Sequence, residues 1–566
     1  MPYVKNHIRV TVPHHSGFDK SHRNTGSLTC GTITPILCDE VIPGTRVHLR
    51  IPIAVQLPPL ASDTYMNLKL RAEAFFVPLR LLVGSFESWF SDFGEPGLVS
   101  GANSEDALAF AYKNDVKGVL PSLAITSEAH SFVGPGSLLD YLGFKMLDSI
   151  GAENYPVINP MPLLAYHLVY HHWYRNPRVQ RPVFMPFRAA GTDTSFDAGS
   201  VVGSKFPICS APFTFYSSRD TASYVAQETT LEQVGSEQLE AGSLILGDGI
   251  NLLELRQRNF GLDYFTGARP SAQLGDVSSV SIPVVSNTGT MTIAQLRAAN
   301  SLQQFRERNN LPSPRMVDQV KARYGANLSD GVAQRPICIG SASYDVSSTG
   351  VSQTGGASSS ANPFSSVAAQ YGRAYASGSD IIIDDFTANE PGYILVNVTL
   401  VPEATYSTGI DRMFRRYLKD GSIVEMATPL LQNMGDQAVK MFEIAGKFDS
   451  EADDIFAYQD RFADFMFKMN SVHGKLAEGE DLSSFVLQRT FLNYPSYGSE
   501  FLQIPKNFLD GVFAISAEVS GLSAWYDAML QYKVSMPLAE FSIPSLQDPA
   551  YEHGKSVSLR RNGQIF

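Results

Sequence analysis

The stretch "GYILVNVTLVPEATY", Gly392–Tyr406, decides the fold class. It is long and dense in β-branched and aliphatic residues, the composition of a strand. "IIIDDF", Ile381–Phe386, has the same character just before it, with Asp384-Asp385 expected at the strand end. Further toward the N-terminus, "YMNLKLRAEAFFVPLRLL" (Tyr65–Leu82) alternates apolar and polar residues before turning wholly apolar. Leu68, Leu70, Ala72 and Ala74 then share one strand face and Lys69, Arg71 and Glu73 the other, so one face is buried, and Pro78 ends the run. "GTITPILCDEVIPGTRVHLRIPIAVQL" (Gly31–Leu57) supplies two more β-branched runs, broken by the turn Val41–Gly44.

Composition agrees with separated strands joined by long loops. The chain has 566 residues, 44 % hydrophobic and 18 % charged, with 44 glycines, 33 prolines and 11 % aromatics. This favours strands and loops over long helices, and a weakly charged, aromatic surface suits a protein covered by neighbours. A large loop-rich β enzyme would share that composition. The net charge of −12 argues against a general nucleic-acid coat built on a basic surface. Both ends are nevertheless locally basic. Residues 1–25 read as an extended arm in which Lys5, Arg9, Lys20 and Arg23 face only Asp19, with His7, His14, His15 and His22 between them. The tail carries Lys555, Arg560 and Arg561. Cys30, Cys38, Cys209 and Cys338 are scattered without a CxxC, which fits a reducing compartment. The N-terminus lacks the apolar core of a signal peptide, and no run reaches membrane-spanning length.

The first clear helix contains "LLAYHLVYHHWYRNPRVQRP", Leu163–Pro182. Asn159 suits its cap, Pro160 its first position and Asn176-Pro177 its stop. Leu163, Tyr166, Tyr170 and Trp173 form an apolar stripe. His167 and His171 have the i, i+4 spacing that lets two imidazoles reach one zinc. No glutamate lies between them as a base and no third ligand is near in sequence, so packing among Tyr166, Tyr170, Trp173 and Tyr174 is the favoured role. A second helix is expected over "TIAQLRAANSLQQFRERNN", Thr292–Asn310. Residues 191–249 read as an elaborated loop, and the Ser/Gly/Ala-rich 341–379 as mobile or ordered only by neighbours. The run "DSEADDIF" (Asp449–Phe456) lacks the glycine and final glutamate of a calcium loop and reads as the first turn of a helix capped by Asp449 or Ser450. HExxH, G-x-S-x-G, Walker A and G-x-G-x-x-G motifs are all missing. No catalytic, metal or cofactor residue is expected.

Several segments, in order, resemble the major capsid protein of microviruses, especially the gokushovirus branch. "SGFDKSHRNTGSLTCGTITPILCDEVIPGTRVHL" is similar to that family's opening arm and Asp-Glu-Val-x-Pro-Gly turn. "LKLRAEAFFVPLRLL", "AYHLVYHHWYRN", "LDYFTGARPSAQLG" and "TIAQLRAANSLQQFRER" follow. "YGANLSDGVAQRPICIG", "GYILVNVTLVPEATYSTGIDRMFRR", "PLLQNMGDQAV" and "YQDRFADFMFKMNSVHG" complete the series over roughly residues 16–475. His171-His172 stand where the family usually has Asn-Glu, Asn176 replaces its Asp, and Asp436 stands where it usually has Glu.

The resemblance implies a mainly β protein: an eight-stranded antiparallel jelly roll of viral capsid type with large loop and helical insertions. The expected division is an arm over 1–25 and a single elaborated domain over 26–566, with insertions near 84–180, 183–255 and 276–379. The implied function is structural: a T=1 icosahedral shell of sixty copies around a circular single-stranded DNA genome, presenting the host-facing surface, and not an enzyme. Implied partners are the chain itself, the DNA, a small basic DNA-packaging protein, scaffolding and pilot proteins and a bacterial surface receptor, without membrane insertion. The location is the virion, and the host cytoplasm during assembly. Lys5, Arg9, Lys20 and Arg23 are expected on the inner surface against DNA or a neighbour. Tyr166, Tyr170, Trp173 and Tyr174 are expected to pack on the core or a subunit. Two rivals remain: a carbohydrate-active β enzyme and a trimeric phage receptor-binding protein.

Overall fold

The computed structural model describes residues 15–60, 64–65, 67–82, 122–124, 134–144, 157–181, 183, 195–197, 253–272, 315–353, 369–415, 432, 435–513 and 524–538, with short helical pieces between 297 and 305. The first strands are β1 (Ser16–Asp19), β2 (His22–Leu28), β3 (Thr34–Val41), β4 (Arg46–Gln56) and β5 (Leu68–Pro78). Among the described residues the short strands β6 (Ser122–Ala124), β7 (Val157–Ile158) and β8 (Ser195–Asp197) pair with one another. β9 (Ile337–Asp345), β10 (Ser347–Gln353), β11 (Ala369–Thr387), β12 (Gly392–Pro402), β13 (Gln437–Lys440), β14 (Ile455–Gln459) and β15 (Ala524–Met536) follow.

Two antiparallel sheets form the body. One is six-stranded in the order β1-β15-β4-β11-β10, with β2 also on β15; the other is β3-β12-β5-β9. β1 pairs with the second half of β15 and β2 with the first, so together they form one edge interrupted at Lys20-Ser21. β9 lies beside β5 in the second sheet, and beyond Val346 its continuation β10 lies beside β11 in the first. A broken edge and a strand that changes sheets therefore turn the expected eight strands into ten among the described residues. The order is that of a mainly β sandwich of the jelly-roll type, with antiparallel pairing throughout both sheets.

The sequence patterns explain which strand goes where. β12 is buried along its whole length because both of its faces are covered. Ile394, Val396, Val398 and Leu400 enter the core between the sheets, while Tyr393 and Leu395 enter a second apolar cluster on the far side. β5 changes character for the same reason. Leu68, Leu70, Ala72 and Ala74 line the inter-sheet core, and Phe75 and Val77 turn under the helix that covers the outer face. The β3–β4 connection is a turn over Ile42–Thr45, in which the Thr45 N–H donates to the Ile42 carbonyl. Pro43 presets the first corner and Gly44, at φ +87°, supplies the left-handed one.

Four expectations need correction. The extended arm expected over 1–25 does not stand apart from the domain beyond residue 15, because β1 and β2 complete the open edge of β15. The insertion assigned to 276–379 contains β9, β10 and part of β11, where small residues allow close packing; a Cβ on Gly340 would lie 1.7 Å from the Ile382 carbonyl oxygen of the opposite sheet. Asp384-Asp385 sit inside β11 at an irregularity in its register with β4, with Asp385 at φ +53°. Residues 449–454 form turns instead of a helix, since the Asp449 carboxylate accepts the Glu451 N–H and is held by Lys447 and Tyr494. The helix Met316–Tyr324, closed by Gly325 at φ +67°, was not anticipated. The second expected helix is helical at the positions described between 297 and 305. Much of 84–156, 184–252 and 273–296 lies outside the described residues.

A third apolar cluster, with Tyr264, Phe265, Tyr406, Phe456 and Phe501 in it, gathers loops 253–272, 404–413 and 435–513 around the β13–β14 ladder. Edge-to-face ring contacts, such as Phe265 on Tyr406 at 5.0 Å, hold it together.

Candidate functional site

The aromatic helix runs from Met161 to Val169 as α-helix and continues from Tyr170 to Tyr174 with one wider π-type turn. Asn159 receives the Met161 N–H on its side chain at 3.0 Å, close to its expected capping role. The helix lies on the outer face of the second sheet, and Tyr166, Tyr170 and Tyr174 are buried while Trp173 is half-buried. Each aromatic has a polar tether. The Tyr166 hydroxyl donates to the Ile33 carbonyl at 2.7 Å and accepts the Arg256 N–H at 2.9 Å. Trp173 Nε1 donates to the Pro336 carbonyl at 3.0 Å, and Arg335 stacks on its ring. The Tyr174 hydroxyl donates to Glu73 at 2.6 Å, and Arg256 lies over the Tyr170 ring. Burial pushes the phenols of Tyr166 and Tyr174 well above the ordinary tyrosine range. Within this chain the four aromatics bind the helix to its own sheet.

The histidines are spread over different partners rather than turned on one ion. His167 Nδ1 accepts from Arg256 Nε at 2.9 Å, and His171 Nδ1 accepts the Val183 N–H at 3.2 Å. Among the described residues no group of three His, Cys, Asp or Glu side chains is placed to hold a metal. Burial and then Arg175 push His171 well below the ordinary histidine range. Burial and then Arg315 push His172 down to about 3. Both imidazoles stay neutral near pH 7.

Of the four basic arm residues, Lys5 and Arg9 lie outside the described residues. Lys20 and Arg23 pair with different carboxylates. Lys20 meets Asp39 of β3 at 2.6 Å, and Asp39 also accepts the Tyr532 hydroxyl at 2.7 Å. Arg23 grips both carboxylate oxygens of Asp527 on β15. Strand pairing explains this: Met529 stands opposite Arg23, which leaves Asp527 one same-face position away. These cations fasten the interrupted edge to its neighbours. Sequence reasoning could not find their acids, which lie 19 and 504 residues away.

A different concentration of positive charge was missed. A cleft at the C-terminal end of the aromatic helix is lined by Arg71, Arg175, Arg178, Arg258 and Arg315, and no Asp or Glu lines it among the described residues. These arginines come from four separate segments, so no local run in the sequence marks them.

Comparison with known proteins accounts for this architecture. The profile of the family described as "Capsid protein (F protein)" matches residues 7–546. The chain belongs to that family. It is 24 % identical over 606 residues to capsid protein VP1 of Chlamydia phage 1, covering 94 % of this chain and 96 % of the relative. Against capsid protein VP1 of Bdellovibrio phage phiMH2K, identity is 24 % over 511 residues, covering 86 % and 87 %. Against capsid protein VP1 of Spiroplasma virus 4 it is 24 % over 560 residues, covering 93 % and 94 %. As a capsid protein of this family the chain is a structural component of a virion and assembles with copies of itself into a shell. Among the described residues no helix is long and apolar enough to cross a membrane.

Proposed function

We propose that this capsid protein builds a T=1 icosahedral shell of sixty copies around a circular single-stranded DNA genome, that its outer loops present the host-facing surface, and that it acts without catalysing a reaction. The observation that carries this reading is the family match over nearly the whole chain, on a body of two packed antiparallel sheets. Closed symmetry requires each subunit to bury several different interfaces. Exposed apolar side chains such as Met413, Phe414, Phe465 and Phe467 are suited to them.

With a net charge of −12 the chain cannot neutralise a genome by itself. The reading therefore includes a small, very basic DNA-packaging protein inside the shell, scaffolding and pilot proteins during assembly, and a bacterial surface receptor outside. The arm's share of the inner surface falls to Lys5 and Arg9, because Lys20 and Arg23 already engage carboxylates of their own chain. Electron microscopy and sedimentation of purified particles test the proposal. Closed shells of uniform size holding nuclease-protected circular single-stranded DNA are expected. Trimers that never close, or a monomer that cleaves a glycan, would overturn it.

A further inference from the structure

The loops around the β13–β14 ladder leave a groove of about 540 Å³ whose walls are residues 406–414 and 467–473. Met413, Phe414 and Phe467 line it, and each is more than half exposed. At its rim the helical turn Ala463–Met466 carries Phe465 and Met466, which are equally exposed. Phe465-Met466-Phe467 is thus a run of three large apolar side chains open to solvent, a pattern that the surface of a monomer avoids. The turn is built to hold them there. It opens on Phe462 at φ +64°, a left-handed conformation that a bulky aromatic takes only where its surroundings impose it. The Phe462 N–H donates to Gln437 Oε1 at 3.0 Å, and Gln437 Nε2 donates to Asp464 at 3.0 Å, so one β13 side chain grips the turn at both ends.

Charge, area and shape together point to what covers this patch. Both cations of the groove are matched within the chain: Lys468 meets Asp411 at 2.7 Å, and Arg412 meets Glu443 at 3.2 Å. A surface with its charges balanced in place can meet a copy of itself without repulsion. Met413, Phe414, Phe465, Met466 and Phe467, taken at about 200 Å² each and just over half exposed, offer roughly 550 Å² of apolar surface. That is about two thirds of the ~800 Å² which each partner buries in a standard interface. The patch also pairs a projection, Phe465-Met466, with a recess beside it. A two-fold axis between them would seat each copy's projection in the other's recess.

We propose that this groove is a two-fold interface with a second copy of the chain, in which Phe465 and Met466 of each copy enter the groove lined by Met413, Phe414 and Phe467 of the other. The inference rests on the reading of the chain as a shell-building capsid protein and assigns one of its interfaces to named residues. The strained turn at Phe462 then serves assembly, since it aims the projection before the partner arrives.

The test is cross-linking with a short bis-maleimide inside particles assembled from the full chain. Particles are grown from an equal mixture of Met413→Cys and Phe465→Cys chains, so that a link between positions 413 and 465 joins two copies. A dimer band that carries this link by mass spectrometry, and is absent from unsubstituted particles, is expected. The double variant Met413→Cys/Phe465→Cys should stop at the dimer, because a two-fold contact closes at two copies. A ladder of trimers and larger products would assign the groove to a head-to-tail ring and overturn the proposal, as would the lack of any link between copies. Phe465→Ser/Met466→Ser, at exposed positions, is expected to lower the assembled fraction in sedimentation at least about tenfold at fixed concentration, with circular dichroism unchanged. An unchanged fraction would also overturn the interface. Closed shells without the link refute the interface alone, whereas an unsubstituted chain that never closes a shell refutes the broader reading.

Discussion

Glu73 and Arg258, 185 residues apart in sequence, meet in a two-pronged ion pair at 2.8 Å beneath the aromatic helix, where the Tyr174 hydroxyl also donates to the carboxylate. Burial alone would raise the Glu73 carboxyl, but Arg258 and Tyr174 hold it below the ordinary glutamate range. Both side chains are mostly covered. Removing one partner strands the charge of the other, so Glu73→Gln is expected to cost about 3–5 kcal/mol in urea denaturation of the subunit. Glu73→Gln/Arg258→Met should recover much of that loss, and a double variant no better than the single one would refute the pairing. The sign with pH follows from the lowered carboxyl: its contribution is full above the unfolded-state value and is lost as pH falls through the folded one.

The two depressed histidines predict a separate acid response. His171 and His172 are neutral in the fold, while an unfolded imidazole titrates near 6.5. Below that value the unfolded chain binds more protons, so stability declines as pH falls, by about 1.4 kcal/mol per pH unit for each histidine. Denaturation midpoints measured from pH 7.5 down to 5 should fall, and His172→Gln should flatten about half of the histidine-dependent slope. A flat profile in the unsubstituted protein would show that the imidazoles are hydrated and free to charge.

Tyr166 joins the helix to two backbones, as donor to Ile33 and acceptor from Arg256. Tyr166→Phe keeps the ring but leaves a buried carbonyl and N–H each short of a partner. A loss of about 1–3 kcal/mol is expected. If Tyr166→Phe matches the unsubstituted chain in urea, the hydroxyl contributes nothing net.

Gly340 marks where the two sheets touch, because any side chain there would meet the Ile382 carbonyl. Gly340→Ala must push β9 away from β11, at a cost expected to exceed about 4 kcal/mol. Soluble yield and circular dichroism of the variant report it directly. A well-folded Gly340→Ala protein would mean that the sheets can separate at this edge.

Legibility followed locality. The alternation in β5 and the apolar run in β12 are readable because a strand's neighbours in sequence alternate between its two faces. The aromatic helix is readable for the same reason at helical period, down to its stripe of Tyr166 and Tyr170. β9, β10 and the first part of β11 are hidden because sheet contact there demands Gly340, Gly378, Ala374 and Ala376, and small residues in such numbers read as loop, whereas Ile381–Phe386 of β11 is legible. The turn at Asp449 was mistaken for a helix start because an Asp side chain accepts a nearby N–H in either setting. The arginine cleft was invisible, since its members are drawn together from positions 71 to 315 only by the fold.

The pairing of β1 and β2 with β15 also sets a schedule. Ser16 stands opposite Met536, and Leu28 opposite Ala524, so the first described strand waits for the last. Synthesis at about 5–20 residues per second separates the two ends by roughly half a minute or more. Throughout that interval β4 has no β15 beside it, and β1 and β2 have no sheet to join. A nascent chain therefore cannot close this edge of the sheet until β15 has been made, and its longest-range strand pairing is the last to become possible.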